Sequence, residues 1–484
     1  MAVMRKTVLL LAVAGLAIGP AAAQRLHYLD PRDVAEAQRD NAAMVQALGG
    51  AETGPRTAYV EAVGRRVGGY SGVANAGQAL HFTTLNSAVE NAFSVPGGYV
   101  YVTRQLLGLM DDESELAFAL GHEVGHVAAN HAHQREQYVS RGPLGWIGRA
   151  MGSIFGGDPF GGFLERRAIL DALQFSREQE YQADELGIRY MTAAGYDPAG
   201  SYELLAALSR ASALEARVQG QANRQTPEWA STHPLNENRM QVALEAARAT
   251  GRLGTGIRNR EQFLGEIEGL YVDDDPTQGI IDGATFTHPD LRIQFTVPQG
   301  YLMQNAPDAV TVSGSAGKAQ FRAGPPNLDQ AITYAFQRLT GGEDQLRLPA
   351  ARRISVNGMP VAVVTIRVPT DSGQVDASVV AYQWDPTHVY YFAILTPAGY
   401  GLGPFLPMVN SVRKISAAEA AAIRPRVIHI ETVRPGDTLQ SLASRMAYRD
   451  FKLERFLSLN GLAVNSSLKP GQKVKLVVFG TRRS

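Results

Sequence analysis

The sequence predicts a chain of several domains in a fixed order: a mainly α (α+β) domain, then a β-rich α+β domain, then a small βααβ module. Three observations carry that expectation. At 484 residues the chain exceeds one ordinary domain. Apolar residues recur at helical spacing through the first half, whereas after Asp273-Asp274-Asp275-Pro276 they alternate with period two. Beyond the alanine-rich stretch Ala417 to Arg426, a fresh pattern of strand, turn, two helices and strand begins. The expected divisions are 1–23 as an export signal, 24–265, 266–415, a linker over 416–426, and 427–484.

The signal is read from Arg5 and Lys6, the apolar run Val8 to Ile18, and the small residues Ala21, Ala22 and Ala23 before Gln24. That run is too short to span a bilayer comfortably. No later stretch is apolar enough to be a membrane helix, so the mature chain is expected to carry none.

Helices follow from Asp33 to Gly49 and from Arg56 to Val67. Leu80 to Leu85 alternates like a strand, and NAFSVPGGYVYV, Asn91 to Val102, reads as a hairpin around Pro96-Gly97-Gly98. Asp111, Asp112 and Ser114 offer N-caps for a helix with Leu116, Ala117, Leu120, Val124 and Val127 on its apolar side. The glycine-rich stretch Ser140 to Phe163 reads as a loop beside that helix. Further helices are expected over Ser176 to Ala194, Ala199 to Ala213 and up to Ala249, with a polar linker from Gln219 to Trp229.

In the second domain, Leu291–Val297, Ala309–Val312, Ile354–Val356, Val361–Val368, Ala377–Trp384 and Val389–Leu395 read as strands. Leu328 to Leu339 and Gly403 to Val412 read as helices among them. No catalytic constellation is visible there, and His288 and His388 stand singly, as surface or hydrogen-bonded histidines do.

Composition excludes several classes of function. Lys and Arg total 46, as do Asp and Glu, with no long run of one sign, so nucleic acid is not an expected partner. There is no cysteine, which removes thiol catalysis, disulfides and Cys-based metal sites. Any metal must be held by His and carboxylate.

Such a site is offered by GHEVGHVAANH, Gly121 to His131, where His122 and His126 stand four apart with Glu123 between them. On a helix such residues project within about 40° of each other, and two neutral imidazoles so placed can grip one zinc ion. Glu123 emerges about 100° further round, beside the metal and free to take a proton from a water there. A third ligand is still needed. A continuation HExxHxxGxxH is excluded, because positions 129 and 132 are Ala129 and Ala132. His131 and His133 miss the register, and His131, about 140° round an unbroken helix from His126, is expected to serve packing or the helix end. Glu180 and Asp184 lie four apart on one helix, so Glu180 can bind the metal while Asp184 bonds a ligand imidazole or the reaction site. Glu178 and Glu185 show how common solvated carboxylates are on that helix, and spacing alone leaves the choice open.

Taken with Ser176-Arg177, Glu180 and Ala183-Asp184, the HEVGH run resembles the M48 family of zinc metallopeptidases. The likeness covers roughly residues 30 to 265 and extends to Asn91-Ala92-Phe93 with Pro96-Gly97-Gly98, and to His233-Pro234 with Arg239. It implies a gluzincin-type metallopeptidase domain with one zinc ion per chain on His122, His126 and Glu180. Glu123 would be the general base and Asp184 the second acidic residue of the site. It implies further that Asn91, Ala92 and Phe93 form an edge strand along which an extended substrate lies. His233 would approach the metal from a lid, to stabilise the oxyanion or to cap the open position, and Arg239 would support that region.

VRPGDTLQSLA, LNGL and LKPGQKVKL resemble a LysM domain. That likeness implies a βααβ fold and peptidoglycan as ligand, with Gly436, Asp437, Thr438 and Asn460 as candidate glycan contacts. The two resemblances together imply an exported zinc-dependent endopeptidase in the periplasm or cell envelope. Its substrates would be unfolded or misassembled envelope proteins, and its terminal module would tether it to peptidoglycan. The competing expectation is a peptidoglycan-binding or chaperone-like envelope protein whose protease site is largely self-inhibited.

Overall fold

The computed structural model describes residues 26–132, 175–219, 233, 237–339, 347–370 and 373–482. The export signal over 1–23, the glycine-rich loop over 140–163, His133 and nearly all of the linker from Gln219 to Trp229 lie outside these residues.

Helix α1 (Pro31–Ala47) starts where the Asp30 side chain accepts the Arg32 N–H, and Pro31 suits the first turn because it has no N–H to leave unpaired. Helices α2 (Pro55–Gly68) and α3 (Ala76–Ala79) follow. Strands β1 (His81–Leu85), β2 (Ala92–Val95) and β3 (Tyr99–Thr103) form a sheet in the order β1-β3-β2, with β1 parallel and β2 antiparallel to β3. The hairpin turn needs its glycines. Gly97 and Gly98 both have φ +89°, and a Cβ on Gly98 would sit 2.1 Å from the Ala79 carbonyl oxygen. Strand β2 is therefore left as an edge of its sheet.

A short helix absent from the sequence reading, α4 (Arg104–Leu109), precedes α5 (Glu113–Ala128). Of the three N-cap candidates, Asp112 caps α5, accepting the Ser114 and Glu115 N–H groups. Helix α5 is buried from Glu113 to Val127 and packs along α6 (Arg177–Ala193), whose start is a capping box of Ser176 and Gln179. The two helices touch through glycines: a Cβ on Gly187 would meet the His122 nitrogen at 2.8 Å, and one on Gly125 the Ala183 carbonyl oxygen at 3.2 Å. This contact sets the HExxH turns directly against Glu180 and Asp184. Helices α7 (Ala199–Gln219), α8 (Glu237–Ala249) and α9 (Arg260–Ile267) surround the pair, and strand β4 (Tyr271–Val272) follows.

The middle region is antiparallel. Strands β5 (Ile280–Asp282), β6 (Thr285–His288) and β7 (Ile293–Thr296) begin one sheet. Strands β8 (Leu302–Ala306), β9 (Ala309–Gly314), β10 (Gly317–Gly324), β11 (Arg352–Val356), β12 (Met359–Thr370), β13 (Gly373–Gln383) and β14 (Val389–Pro397) form another, ordered β11-β12-β13-β14-β10-β9-β8. Helix α10 (Leu328–Leu339) packs Ile332 and Phe336 on one face of the larger sheet. On the other face, Phe295 of the smaller sheet meets Phe321 and Phe392. Besides the two-residue strands β4 and β15 (Arg413–Lys414), the strands β5, β6, β8 and β10 escaped the sequence reading. Strands β5, β6 and β8 are short, and β10 alternates Lys318, Gln320 and Arg322 with an apolar side that is weak because Ala319 and Ala323 flank its one large residue, Phe321. Gly403 to Val412 is a 3-10 turn (Gly403–Phe405) running into α11 (Leu406–Ser411), and β15 completes the smaller sheet. His388 is exposed beside Asp385, and His288 is half-buried.

Part of the expected linker is ordered structure. Residues Ala417–Ala422 form α12, closed by a Ser416/Glu419 capping box, and Arg426 already opens β16 (Arg426–Thr432). Helices α13 (Leu439–Ser444) and α14 (Lys452–Leu459) and strand β17 (Lys473–Phe479) complete the order strand, helix, helix, strand. This module is built into the first domain. Strand β16 pairs with β17 on one side and with β4 on the other, and Ile428, Leu442, Phe456 and Leu476 share a hydrophobic cluster with Leu106, Leu109 and Leu116. Lys475 has no exposed surface. Its Nζ donates to the Gly108, Leu109 and Met110 carbonyl oxygens at 3.2, 2.8 and 2.7 Å, the open end of α4, and lies 3.3 Å from Asp111. Among the described residues no helix is long and apolar enough to cross a membrane.

Candidate metal centre

Helix α5 presents His122 and His126 to the N-terminal half of α6, and their Nε2 atoms lie 3.0 Å apart. Glu180, in the first turn of α6, sets its carboxylate 3.6 Å from His122 Nε2 and 3.4 Å from His126 Nε2. His233 comes in from the side of α8, with Nδ1 3.0 and 3.1 Å from the two Glu180 oxygens and 3.3 Å from His122 Nε2. Each of these four residues offers one donor atom, all within 4.8 Å of one another, and all four are buried. Three imidazoles and a carboxylate are a nitrogen and oxygen set suited to zinc, and their convergence fits a single ion.

Every nitrogen turned away from this point is held. His122 Nδ1 lies 2.9 Å from Asp184 Oδ1, which fixes the ring and leaves Nε2 to the centre. His126 Nδ1 lies 2.9 Å from His131 Nδ1, and His131 Nε2 lies 3.0 Å from Gln182 Oε1. His233 Nε2 is 3.1 Å from the Ala92 carbonyl oxygen and 3.5 Å from Glu123 Oε1. Ser94 donates to Glu123 Oε2 at 3.0 Å, so this carboxylate is aimed from the edge strand. Phe175 stacks on His126 at 3.9 Å between ring centres.

Burial governs the charges. It would raise Glu180, but His233 and Arg239 outweigh it and hold the carboxyl well below its ordinary value. Asp184 is likewise lowered, burial being overcome chiefly by Arg239. His126 is pushed well below the ordinary imidazole value by burial, which keeps it neutral as a ligand must be. His233 is raised to about 9, because Glu180 and Glu123 overcome its burial.

These positions sharpen several expectations. Asp184 stands behind His122, its two oxygens taken by His122 Nδ1 and by Arg239 at 2.6 and 2.8 Å, and it does not face the reaction position. Arg239 is 1% exposed and bridges Asp184 to Glu180 at 2.7 Å, so it lies behind the His and Glu cluster and offers no open surface. Phe93 turns away from the site and stacks on Tyr101 at 4.8 Å; the edge strand offers backbone, with Ala92 and Ser94 toward the centre. Asn91 is buried, its N–H donating to Thr103 Oγ1. In the terminal module Gly436 (φ +93°) shapes a turn, Asp437 accepts the Arg434 N–H, and Thr438 caps α13. Asn460 is spent internally: it donates to the Phe456 and Lys475 carbonyls and accepts the Lys475 N–H, a strap and not a free glycan contact.

His131 is not among the converging donors, and it lies buried just past the end of α5, as its register implies. Its contact with His126 and Gln182 was not legible, because α5 ends at Ala128 and Asn130 turns left-handed at φ +56°, bringing His131 back beneath His126. An asparagine two residues past the helix was the available signal. In a second group of carboxylates, Asp112 and Glu203 are already engaged by Arg258, and Glu115 accepts the Asp111 N–H and feels the charge of Lys475.

Comparison with known proteins agrees with this geometry. Residues 55–247 match Peptidase family M48 and residues 432–477 match the LysM domain. The Beta-barrel assembly-enhancing protease of Yersinia pestis is 32% identical over 202 residues, 40% of this chain and 39% of that protein. Its counterpart in Escherichia coli (strain K12) is 30% identical over 199 residues, with the same shares. The Mitochondrial metalloendopeptidase OMA1 of Schizosaccharomyces pombe is 30% identical over 186 residues, 38% of this chain and 51% of that protein. The matches thus span two fifths to half of the relatives' length. With the donor set converged as described, this chain carries a peptidase family M48 domain over residues 55–247 and a LysM domain over residues 432–477.

Proposed function

We propose that the protein is a zinc-dependent endopeptidase of the cell envelope that hydrolyses peptide bonds in unfolded or misassembled envelope proteins, held at peptidoglycan through its LysM domain. The observation that carries this reading is the convergence of His122, His126, Glu180 and His233 beside Glu123 and the edge strand β2. The names of the relatives and the LysM match support the envelope setting.

Zinc, when bound, supplies Lewis-acid polarisation of the scissile carbonyl and a more acidic water. The chain's own groups do the rest. An extended peptide adds to β2 by backbone hydrogen bonds, which recognises unfolded chain without reading much sequence. Glu123, steadied by Ser94, takes the proton of the attacking water and returns it to the leaving amine as the C–N bond breaks. Asp184 and Arg239 hold His122 and Glu180 in place. His233, swung clear of Glu180, donates an N–H toward the oxygen on which negative charge develops.

The direct test is Glu123→Gln. The variant is expected to retain zinc and to cleave casein, a disordered substrate, at least about 100-fold more slowly. A wild-type rate would refute the mechanism.

A second reading, a largely self-inhibited site, is favoured by one observation. His233 occupies a donor position of the cluster with Nδ1 while Nε2 takes the Ala92 carbonyl that a substrate strand would need. His233→Ala separates the two: higher casein cleavage marks a cap, and a loss marks a catalytic histidine.

A further inference from the structure

We infer that His131 and Gln182 form a relay that sets the tautomer and aim of His126, making them positioning residues of the metal site; this rests on the zinc peptidase reading above. His122 and His233 have ordinary acceptors behind them, a carboxylate and a backbone carbonyl, so their outward nitrogens must carry the proton. His126 does not. Behind its Nδ1, at 2.9 Å, stands Nδ1 of another imidazole, a group that can either donate or accept. Two neutral rings in this contact have two arrangements, and only one leaves Nε2 of His126 with a lone pair for a metal.

Gln182 breaks the tie. Its Oε1, 3.0 Å from His131 Nε2, only accepts, so His131 carries its proton on Nε2 and presents a bare Nδ1 to His126. His126 must then donate from Nδ1, and its Nε2 is left free to ligate. Gln182 lies between Glu180 and Asp184 on α6, so one short run supplies a metal ligand, the anchor of His122 and the anchor of His126. His131 is held in turn: Gln179 Nε2 donates to its carbonyl at 3.2 Å, the ring has no exposed surface, and Phe175 lies against it and His126.

The test reads metal binding and tautomer in the full-length protein. Zinc affinity is measured by chelator competition for wild type, His131→Leu, Gln182→Ala and Gln182→Glu, with the melting temperature of each metal-free form as the control for folding. His131→Leu is expected to bind zinc ~10- to 100-fold more weakly. Gln182→Ala should lose several-fold, and Gln182→Glu, which keeps an acceptor, should stay within about twofold of wild type or bind more tightly. The double variant His131→Leu/Gln182→Ala should be no worse than His131→Leu alone, since the relay acts as a unit. In the zinc-loaded wild type, 15N-imidazole spectra should show a proton on Nε2 of His131 and on Nδ1 of His126. Unchanged affinity in both His131→Leu and Gln182→Ala, or a proton on Nδ1 of His131, overturns the relay while leaving the peptidase reading intact. A wild-type protein that binds no zinc overturns both.

Discussion

At the scale of single residues, the site is a set of imidazoles each held from behind, and the loss of a holder should cost nearly as much as the loss of a ligand. Asp184→Asn removes the negative charge that fixes His122 and leaves Arg239 buried with one carboxylate instead of two. The expected result is zinc affinity lower by about 10- to 100-fold together with a reduced melting temperature, read by chelator competition and thermal denaturation. Removing zinc with EDTA should likewise lower the melting temperature of wild type, because the metal binds only the folded site. What was legible at this scale follows from local spacing. His122, Glu123 and His126 are an i, i+1, i+4 pattern, and Glu180 with Asp184 is an i, i+4 pair, both visible in one dimension. His131 was hidden because its place depends on a backbone reversal at Asn130 and not on a period.

At the scale of elements, α5 and α6 meet so closely that their glycines decide where the ligands stand. Gly187→Ala would put a methyl group 2.8 Å from the His122 backbone nitrogen, and backbone there cannot yield as a side-chain tip can. The expected effect is destabilisation of about 1–3 kcal/mol and weaker zinc binding, measured by denaturant melts and metal titration. Glu115, near the start of α5, lets the same helix be probed by pH. Burial first, then Asp111, Asp112 and Glu203, raise its carboxyl well above the ordinary value against the opposing pull of Lys475. A raised folded value means that the folded state keeps this proton after the unfolded state has lost it, so its contribution falls as pH rises out of the ordinary carboxylate range. Glu115→Gln, which cannot ionise, should therefore melt at nearly the wild-type temperature near pH 4 and above it at higher pH. A gap that narrows with rising pH would contradict the sign. Helices and the longer strands were readable from periodicity, whereas α4, β5, β6 and β8 were too short to show one.

For the whole molecule, the order of helical, β-rich and terminal parts was legible because each has its own period, but their union was not. Lys475 reads in sequence as an ordinary outward cation of an alternating strand; nothing nearby announces that three carbonyls of α4 await it. Lys475→Met is expected to cost about 3–5 kcal/mol, the penalty of leaving buried partners uncompensated, and to weaken casein cleavage through the start of α5. Peptidoglycan binding is accordingly tested on the full chain carrying Glu123→Gln, since residues 427–484 alone would expose Ile428, Leu476 and their neighbours.

The β4–β16 pairing and the Lys475 contact also impose an order in time. Gly108 and Lys475 stand 367 residues apart, so the helix bearing the HExxH motif begins on a support that is not yet made while the peptidase domain leaves the ribosome. Such long-range closure is slow, because the ends of a long loop must meet before their contact returns any stability. The start of α5 thus gains its Lys475 support only once residue 475 has been made, and a chain truncated before that residue lacks this support.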